Sequence, residues 1–182
     1  MCRLRCGACT RTGTGLYFQA MESSPYIHFF SWASRVSIEL PVGFEEQLED
    51  PDTNSAVYAD DLDDEDEPGA RVMTKMTAVP VESSDAYRSL AAASAEIDSR
   101  SVEHQRECAV DGASAVRQIL SYRDDEAEID VIRHETVAQL GNVVFSIICL
   151  APASRRTDYL PAFDHAADSA RFILLTTTGE AT

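Results

Sequence analysis

From Tyr26 onward the apolar side chains switch between a period of two and a period near 3.6. In Arg35 to Leu40, Val36, Ile38 and Leu40 take alternate positions before a Pro-Val-Gly-Phe turn, which predicts a strand and its stop. Ser55 to Ala59 predicts a short strand, and Arg71 to Pro80, rich in Val, Met and Thr, a longer one that ends at proline. Ser83-Ser84-Asp85 then offers an N-cap, and Tyr87, Leu90, Ala91, Ser94 and Ile97 recur at helical spacing, so the pattern predicts a helix over 84–98. Val102 to Val110 is extended, Asp111-Gly112 is a two-residue hairpin signal, and Ala115 to Tyr122 is the next strand. A polar turn from Arg123 to Glu128 leads to a strand over 129–139. Gly141-Asn142 turns the chain into Val143 to Leu150, apolar on both faces and therefore central. After Pro152, Thr157 or Asp158 can cap a final helix over 157–174, with Leu160, Phe163, Ala167, Ala170 and Leu174 along one stripe. Turns this short cannot carry parallel crossovers. The expected fold class is therefore α+β: an antiparallel sheet of about six to seven strands covered by two main helices, one domain over 21–175 with a polar tail at 176–182.

Composition is that of a packed protein, with 45% apolar residues in 182. Charge is less ordinary: 31 acidic against 15 basic side chains give a formal net charge of −16. Residues 45–67 hold twelve acidic and no basic residues, and Asp60 to Glu67 is seven carboxylates interrupted only by Leu62. Such crowding predicts a solvated acidic loop over 45–67. It excludes phosphate recognition, which needs clustered Lys and Arg, and disfavours anionic membranes. Calcium is not expected there, because an EF-hand starting at Asp61 would place Asp66 at the glycine position and Val72 at the bidentate one. Lys75 is the single lysine beside fourteen arginines, a bias that fits a high-GC, actinobacterial-type coding sequence.

Cys2, Cys6 and Cys9 have the C-x3-C-x2-C spacing of some iron–sulfur sites, but no strand precedes them. Leu16-Tyr17-Phe18-Gln19-Ala20 resembles a tag-removal protease site, so residues 1–20 are expected to be a disordered extension, a tag remnant or a misplaced start before Met21. No secretory signal or lipobox is recognised. With Cys149 in an apolar run and Cys108 in a polar strand, no disulfide framework is suggested, and the expected compartment is the cytoplasm.

Three stretches carry a family resemblance: Val36-Ser-Ile-Glu-Leu-Pro-Val-Gly-Phe44, Val110-Asp-Gly-Ala-Ser-Ala115 and Phe163-Asp-His-Ala-Ala-Asp-Ser-Ala-Arg-Phe172. Over roughly residues 26–175 the chain resembles the PsbP-like, DcrB-like and LpqN-like α/β/α sandwich proteins. That superfamily includes a Ran-binding nucleotide-release factor and intracellular secretion-effector chaperones that shelter apolar helices. The resemblance implies an interaction or assembly role, with no shared catalytic set to transfer to residues here.

The residues themselves lead the same way. His28, His104, His134 and His165 occur one per element, without metal spacing, and no H-E-x-x-H, G-x-S-x-G or Walker motif is present. No catalytic residue, metal or cofactor is expected. A hydrolase built on His165 and Ser169, four residues apart on one helix, is the least favoured reading. Tyr26, Ile27, Phe29, Phe30 and Trp32 form an aromatic cluster. Most of it is expected to be core, with Trp32, beside Phe30, the best contact candidate. Asp60, Asp61, Asp63, Asp64, Glu65, Asp66 and Glu67 are the electrostatic candidates. The expected function is a non-enzymatic protein-interaction module of secretion-adaptor or chaperone type, whose partner is basic or offers an apolar helix; homo-oligomerisation is compatible with it. Nucleic acid and membrane insertion are not expected. The alternative is a small-molecule or lipid carrier with a cavity between sheet and helices.

Overall fold

A computed structural model describes residues 24–60, 68–97 and 100–174. In chain order the elements are β1 (Tyr26–Ser31), β2 (Val36–Pro41), β3 (Phe44–Asp50), β4 (Ser55–Asp60), β5 (Arg71–Ala78), α1 (Ala86–Ala95), β6 (Ser101–Val110), β7 (Ala113–Asp124), β8 (Ile129–Leu140), β9 (Val143–Pro152), α2 (Arg156–Ser169) and β10 (Arg171–Phe172). Seven strands form one sheet in the order β3-β4-β5-β9-β8-β7-β6, and β1-β2-β10 form a second, with every pairing antiparallel.

The turns explain why the hairpins close in register. Asp111 and Gly112, at φ of 49° and 77°, make the two-residue turn with both residues left-handed, whose twist matches that of the flanking strands. Three hairpins use four-residue loops instead, each ending on a left-handed residue: Arg35, Asn54 and Glu128 at φ of 55°, 50° and 57°.

Alternation along the strands gives the large sheet two buried faces. On one, Val36, Ile38 and Leu40 of the small sheet and Phe163 and Ala166 of α2 pack over Tyr58, Val72, Phe145, Ile147 and Cys149, all essentially inaccessible. On the other, Tyr87 and Ala91 of α1 pack on Val116, Val137 and Val144. The result is a three-layer α+β sandwich.

Four sequence expectations change. The acidic stretch is not a loop throughout, because Phe44–Asp50 is an edge strand with Glu45, Glu46 and Gln47 in solvent. Charged side chains on an edge keep their hydration and also discourage edge-to-edge pairing. The last helix ends at Ser169, and Ala170, at ψ of 138°, turns the chain so that Phe172 stacks on Phe145 at 4.5 Å. The apolar stripe through Leu174 was therefore not all helical. Helix α1 is shorter than 84–98. Its N-cap residue Asp85 makes no capping bond and instead accepts from Arg88 at 2.7 Å, and α2 starts at Arg156 without a side-chain cap from Thr157 or Asp158.

Candidate interaction site

The β1–β2 turn, Trp32 to Arg35, is held from below by short polar contacts. The Glu49 carboxylate on β3 accepts from the Ser31 hydroxyl and the Ala33 N–H, both at 2.9 Å. Ser34 donates its N–H to Ser31 Oγ at 3.0 Å and shares a 2.7 Å hydrogen bond with Thr74 Oγ1 of β5. The Arg35 carbonyl accepts from Ile173 N–H at 3.0 Å. Ser31, Ser34 and Thr74 are fully buried. The Ala33 N–H, with help from Ser31, holds the Glu49 carboxyl below its ordinary value. On this bracket Trp32 is 74% exposed, with Phe30 edge-on at 4.8 Å and 84°. Ile173 and Leu174, also exposed, continue past β10 beside Arg35. Phe30 and Trp32 thus sit side by side on a tip with a fixed backbone; the expectation that most of the aromatic cluster is core does not hold, because none of Tyr26, Ile27, Phe29, Phe30 and Trp32 is buried.

Asp60 lies elsewhere. Glu49 pairs with Ala56 and Asp60 with Phe44, so the carboxylate sits roughly 13 Å along the strand from the level of the tip. Its side chain turns inward to accept from the Tyr159 hydroxyl of α2, while its second oxygen is buried without a hydrogen-bond partner. Burial first, and then the bond to Asp60, push the Tyr159 hydroxyl up to about 12. Gly69 is needed close by, since a Cβ there would run into the Asp60 carboxylate. Asp61, Asp63, Asp64, Glu65, Asp66 and Glu67 lie outside the described residues, as do residues 1–20 with Cys2, Cys6 and Cys9.

His165 and Ser169 are both engaged by β2. Ser169 Oγ accepts from the Glu39 N–H at 2.9 Å and donates to the Ala166 carbonyl at 3.1 Å. His165 Nε2 is 2.9 Å from Glu39 Oε2, and its ring stacks on Tyr26 at 3.7 Å. Their hydrogen bonds clasp α2 to the small sheet and leave the serine hydroxyl committed to backbone. Among the described residues no group of His, Cys, Asp and Glu is arranged to hold a metal ion.

A polar group under α2 was missed in the sequence. Arg117 of β7 and His134 of β8, 4% and 1% exposed, lie under α2. Arg117 donates to Asp164 at 3.2 Å and to Asp168 at 2.7 Å, and His134 Nε2 is 3.2 Å from the same Asp164 oxygen. Burial holds the His134 imidazole below its ordinary value, against the pull of Asp164. Neighbouring Cys149, fully buried, has its thiol pushed up by desolvation and is no nucleophile. The group latches α2 to the sheet. The readable signal was Asp164 and Asp168, about one helical turn apart on α2, and an arginine, Arg117, between the apolar Val116 and Ile119 of β7.

Two grooves open to solvent flank the segment before α1. One, of about 550 Å³, is lined by Val81, Ser84, Ser114, Gln139, Gly141 and Asn142; the other, of about 510 Å³, runs along Thr77 to Leu90. The second is walled by Ala86, Ser89 and Leu90 of α1 and by Thr77 of β5.

The layering and strand order form an α/β/α sandwich, a fold shared with several solved structures, a PsbP protein among them. No family model matches the sequence, and no curated protein matches it. The fold superimposes on cyanobacterial PsbP (CyanoP) from Synechocystis with a TM-score of 0.57 at 12% identity, over 87% of this chain and 99% of that one. For LpqN, involved in cell envelope biogenesis of Mycobacterium tuberculosis, the TM-score is 0.61 at 9% identity, over 76% and 83%. The Mog1 E65A mutant gives 0.55 at 12%, over 81% and 96%. A Bacteroides thetaiotaomicron protein matches at 0.55 and 13% identity, and this chain spans 48% of its length. At these identities the likeness is one of fold. No helix among the described residues is long and apolar enough to cross a membrane.

Proposed function

We propose that the chain is a non-enzymatic protein-interaction module whose partner docks on the Phe30–Trp32 tip, with the carboxylates of Asp61, Asp63, Asp64, Glu65, Asp66 and Glu67 drawing a basic partner by charge. The observation that carries this reading is the chain's only tryptophan, 74% exposed on a turn whose supporting polar groups are buried and hydrogen bonded. An aromatic anchor fixed before binding loses little conformational entropy on docking, which is what makes such residues hot spots. A secretion-adaptor or chaperone role is the form of this proposal that the PsbP-like fold suits. The carrier reading has less support, because the two grooves are open and on the surface.

The test is an affinity capture from the native host with wild type, Trp32→Ala and a variant in which residues 61–67 become a Gly/Ser linker, followed by titration of the purified captured partner. Trp32→Ala should weaken the complex by about 30-fold or more while the melting temperature stays unchanged. The linker variant should slow association and lose the salt dependence of the on-rate. Equal capture by wild type and Trp32→Ala, at equal affinity, removes the tip from the proposal. A purified wild-type protein that turns over a substrate overturns the non-enzymatic reading itself.

A further inference from the structure

Among the described residues, the outer face of the large sheet is only half covered. Helix α1 packs on β7 and β8, with Val144 of β9 completing its core. Over β3, β4, β5 and the far half of β9, neither helix contributes a layer. The side chains there are nonetheless apolar along the middle. Leu48 is 55% exposed, and Val57, Met73 and Ile148 beside it are half-buried.

The ladder registers line these positions up in three rows. Across β3, β4 and β5 they read Glu45–Ala59–Arg71, then Leu48–Val57–Met73, then Asp50–Ser55–Lys75. A bulge between Glu46 and Leu48 is what brings Leu48 into the middle row. Met73 continues into Ile148, and Arg71 into Leu150. Each outer row has an acid on β3, a small residue on β4 and a base on β5. One of those bases is the single lysine of the chain.

This arrangement is complementary to itself. A two-fold axis parallel to β4 exchanges β3 with β5 and leaves the height along the strands unchanged. It places Glu45 over Arg71 of the second copy, Leu48 over Met73, and Asp50 over Lys75. Ala59, Val57 and Ser55 meet their own equivalents on the axis, where small side chains let two sheets approach to about 10 Å. We propose that this half-face is the interface of a homodimer in which two copies pack sheet to sheet about that axis. It is a surface separate from the Trp32 tip, because Glu49, which anchors the tip, points to the opposite face of β3. The occupant is a second copy rather than an unrelated segment because charge matches charge in both outer rows under a single symmetry operation.

The patch is small. Four strands and three rows cover on the order of 300 Å² of sheet plane, the size of a weak interface. Sedimentation equilibrium of the full chain from about 5 to about 500 μM should therefore show a monomer–dimer transition that weakens with added salt. Arg71→Glu and Glu45→Arg each turn two attractive pairs per dimer into two repulsive ones, and each should weaken self-association by about 10- to 30-fold. Both residues are exposed, so circular dichroism should be unchanged in either variant. An equimolar mixture of the two variants restores every pair and should recover dimer close to the wild-type level. A wild type that stays monomeric throughout overturns the proposal. So does a dimer indifferent to either reversal, which would use another surface, and so does a mixture that fails to rescue, which would rule out the two-fold register.

Discussion

Glu49 is the support on which the Trp32 tip depends, and removing it should separate local order from global stability. In Glu49→Ala the Ser31 hydroxyl and the Ala33 N–H lose an acceptor that both reach at 2.9 Å. A hydrogen bond to a charged group contributes about 1.5–3 kcal/mol, but this carboxylate is only partly buried and water can take over part of its role. The net loss should be about 1–2 kcal/mol, which in a domain of this size lowers the melting temperature by roughly 2–8 °C. Because Trp32 is the only tryptophan, its fluorescence anisotropy reports the tip alone, and it should fall in Glu49→Ala at temperatures where circular dichroism still reads native. The pH dependence gives a second check. The folded-state carboxyl is held below its ordinary 4.5, so its contribution is fully present above that pH and disappears as the pH falls through the folded value. The stability gap between wild type and Glu49→Ala should stay constant from neutral pH to about 4.5 and close below it. An unchanged anisotropy at neutral pH, or a gap that persists in strong acid, would refute the anchoring role.

His134 has the same sign of dependence in a higher pH range. Burial depresses its folded value below the ordinary 6.5, so the unfolded chain takes up the proton first and stability drops as the pH falls below about 6.5. One proton corresponds to a slope of up to roughly 1.4 kcal/mol per pH unit, and urea titrations of His134→Gln should lack that component. Phe145→Ala removes a fully buried ring that stacks on Phe172, and it should cost about 3–5 kcal/mol in the same assay. A cost under 1 kcal/mol would mean that β10 does not seal the core there. Iodoacetamide under native conditions should modify Cys108, which is partly accessible, and spare Cys149 until the protein is unfolded, as read by peptide mass spectrometry.

The regular parts of the fold were legible because one physical rule governed each. Strand β9 is apolar on both faces, and the Asp111-Gly112 and Gly141-Asn142 turns fix the register of β7, β8 and β9, so their limits fall within two residues of the expected ones. Where two rules compete, the sequence reads ambiguously. Phe44–Asp50 carries the charge of a loop and pairs as an edge strand, because an edge leaves carboxylates in water. Ala170, Phe172 and Leu174 continue a helical stripe, yet the stack of Phe172 on Phe145 is made only if the helix ends first. The exposed tryptophan was visible in the sequence, but its bracket of Ser31, Ser34, Glu49 and Thr74 comes from three strands and has no linear signature. The ionic latch under α2 was hidden for the same reason, since Arg117 and His134 gain meaning only opposite Asp164 and Asp168.

The strand order has a consequence for assembly of the chain. Strands β3, β4 and β5 are one meander and β6, β7, β8 and β9 another, and the two are joined in the sheet only where β5 meets β9, residue 71 opposite residue 150. Every other ladder in the large sheet links neighbours in sequence. A cut between α1 and β6 breaks no hairpin. It leaves two fragments, each ending its meander on a strand whose missing neighbour is supplied by the other fragment. Reunion of the halves would read out closure of the β5–β9 seam together with the β2–β10 ladder and the packing of α1 on β7 and β8, the long-range steps on which otherwise local pairs must wait.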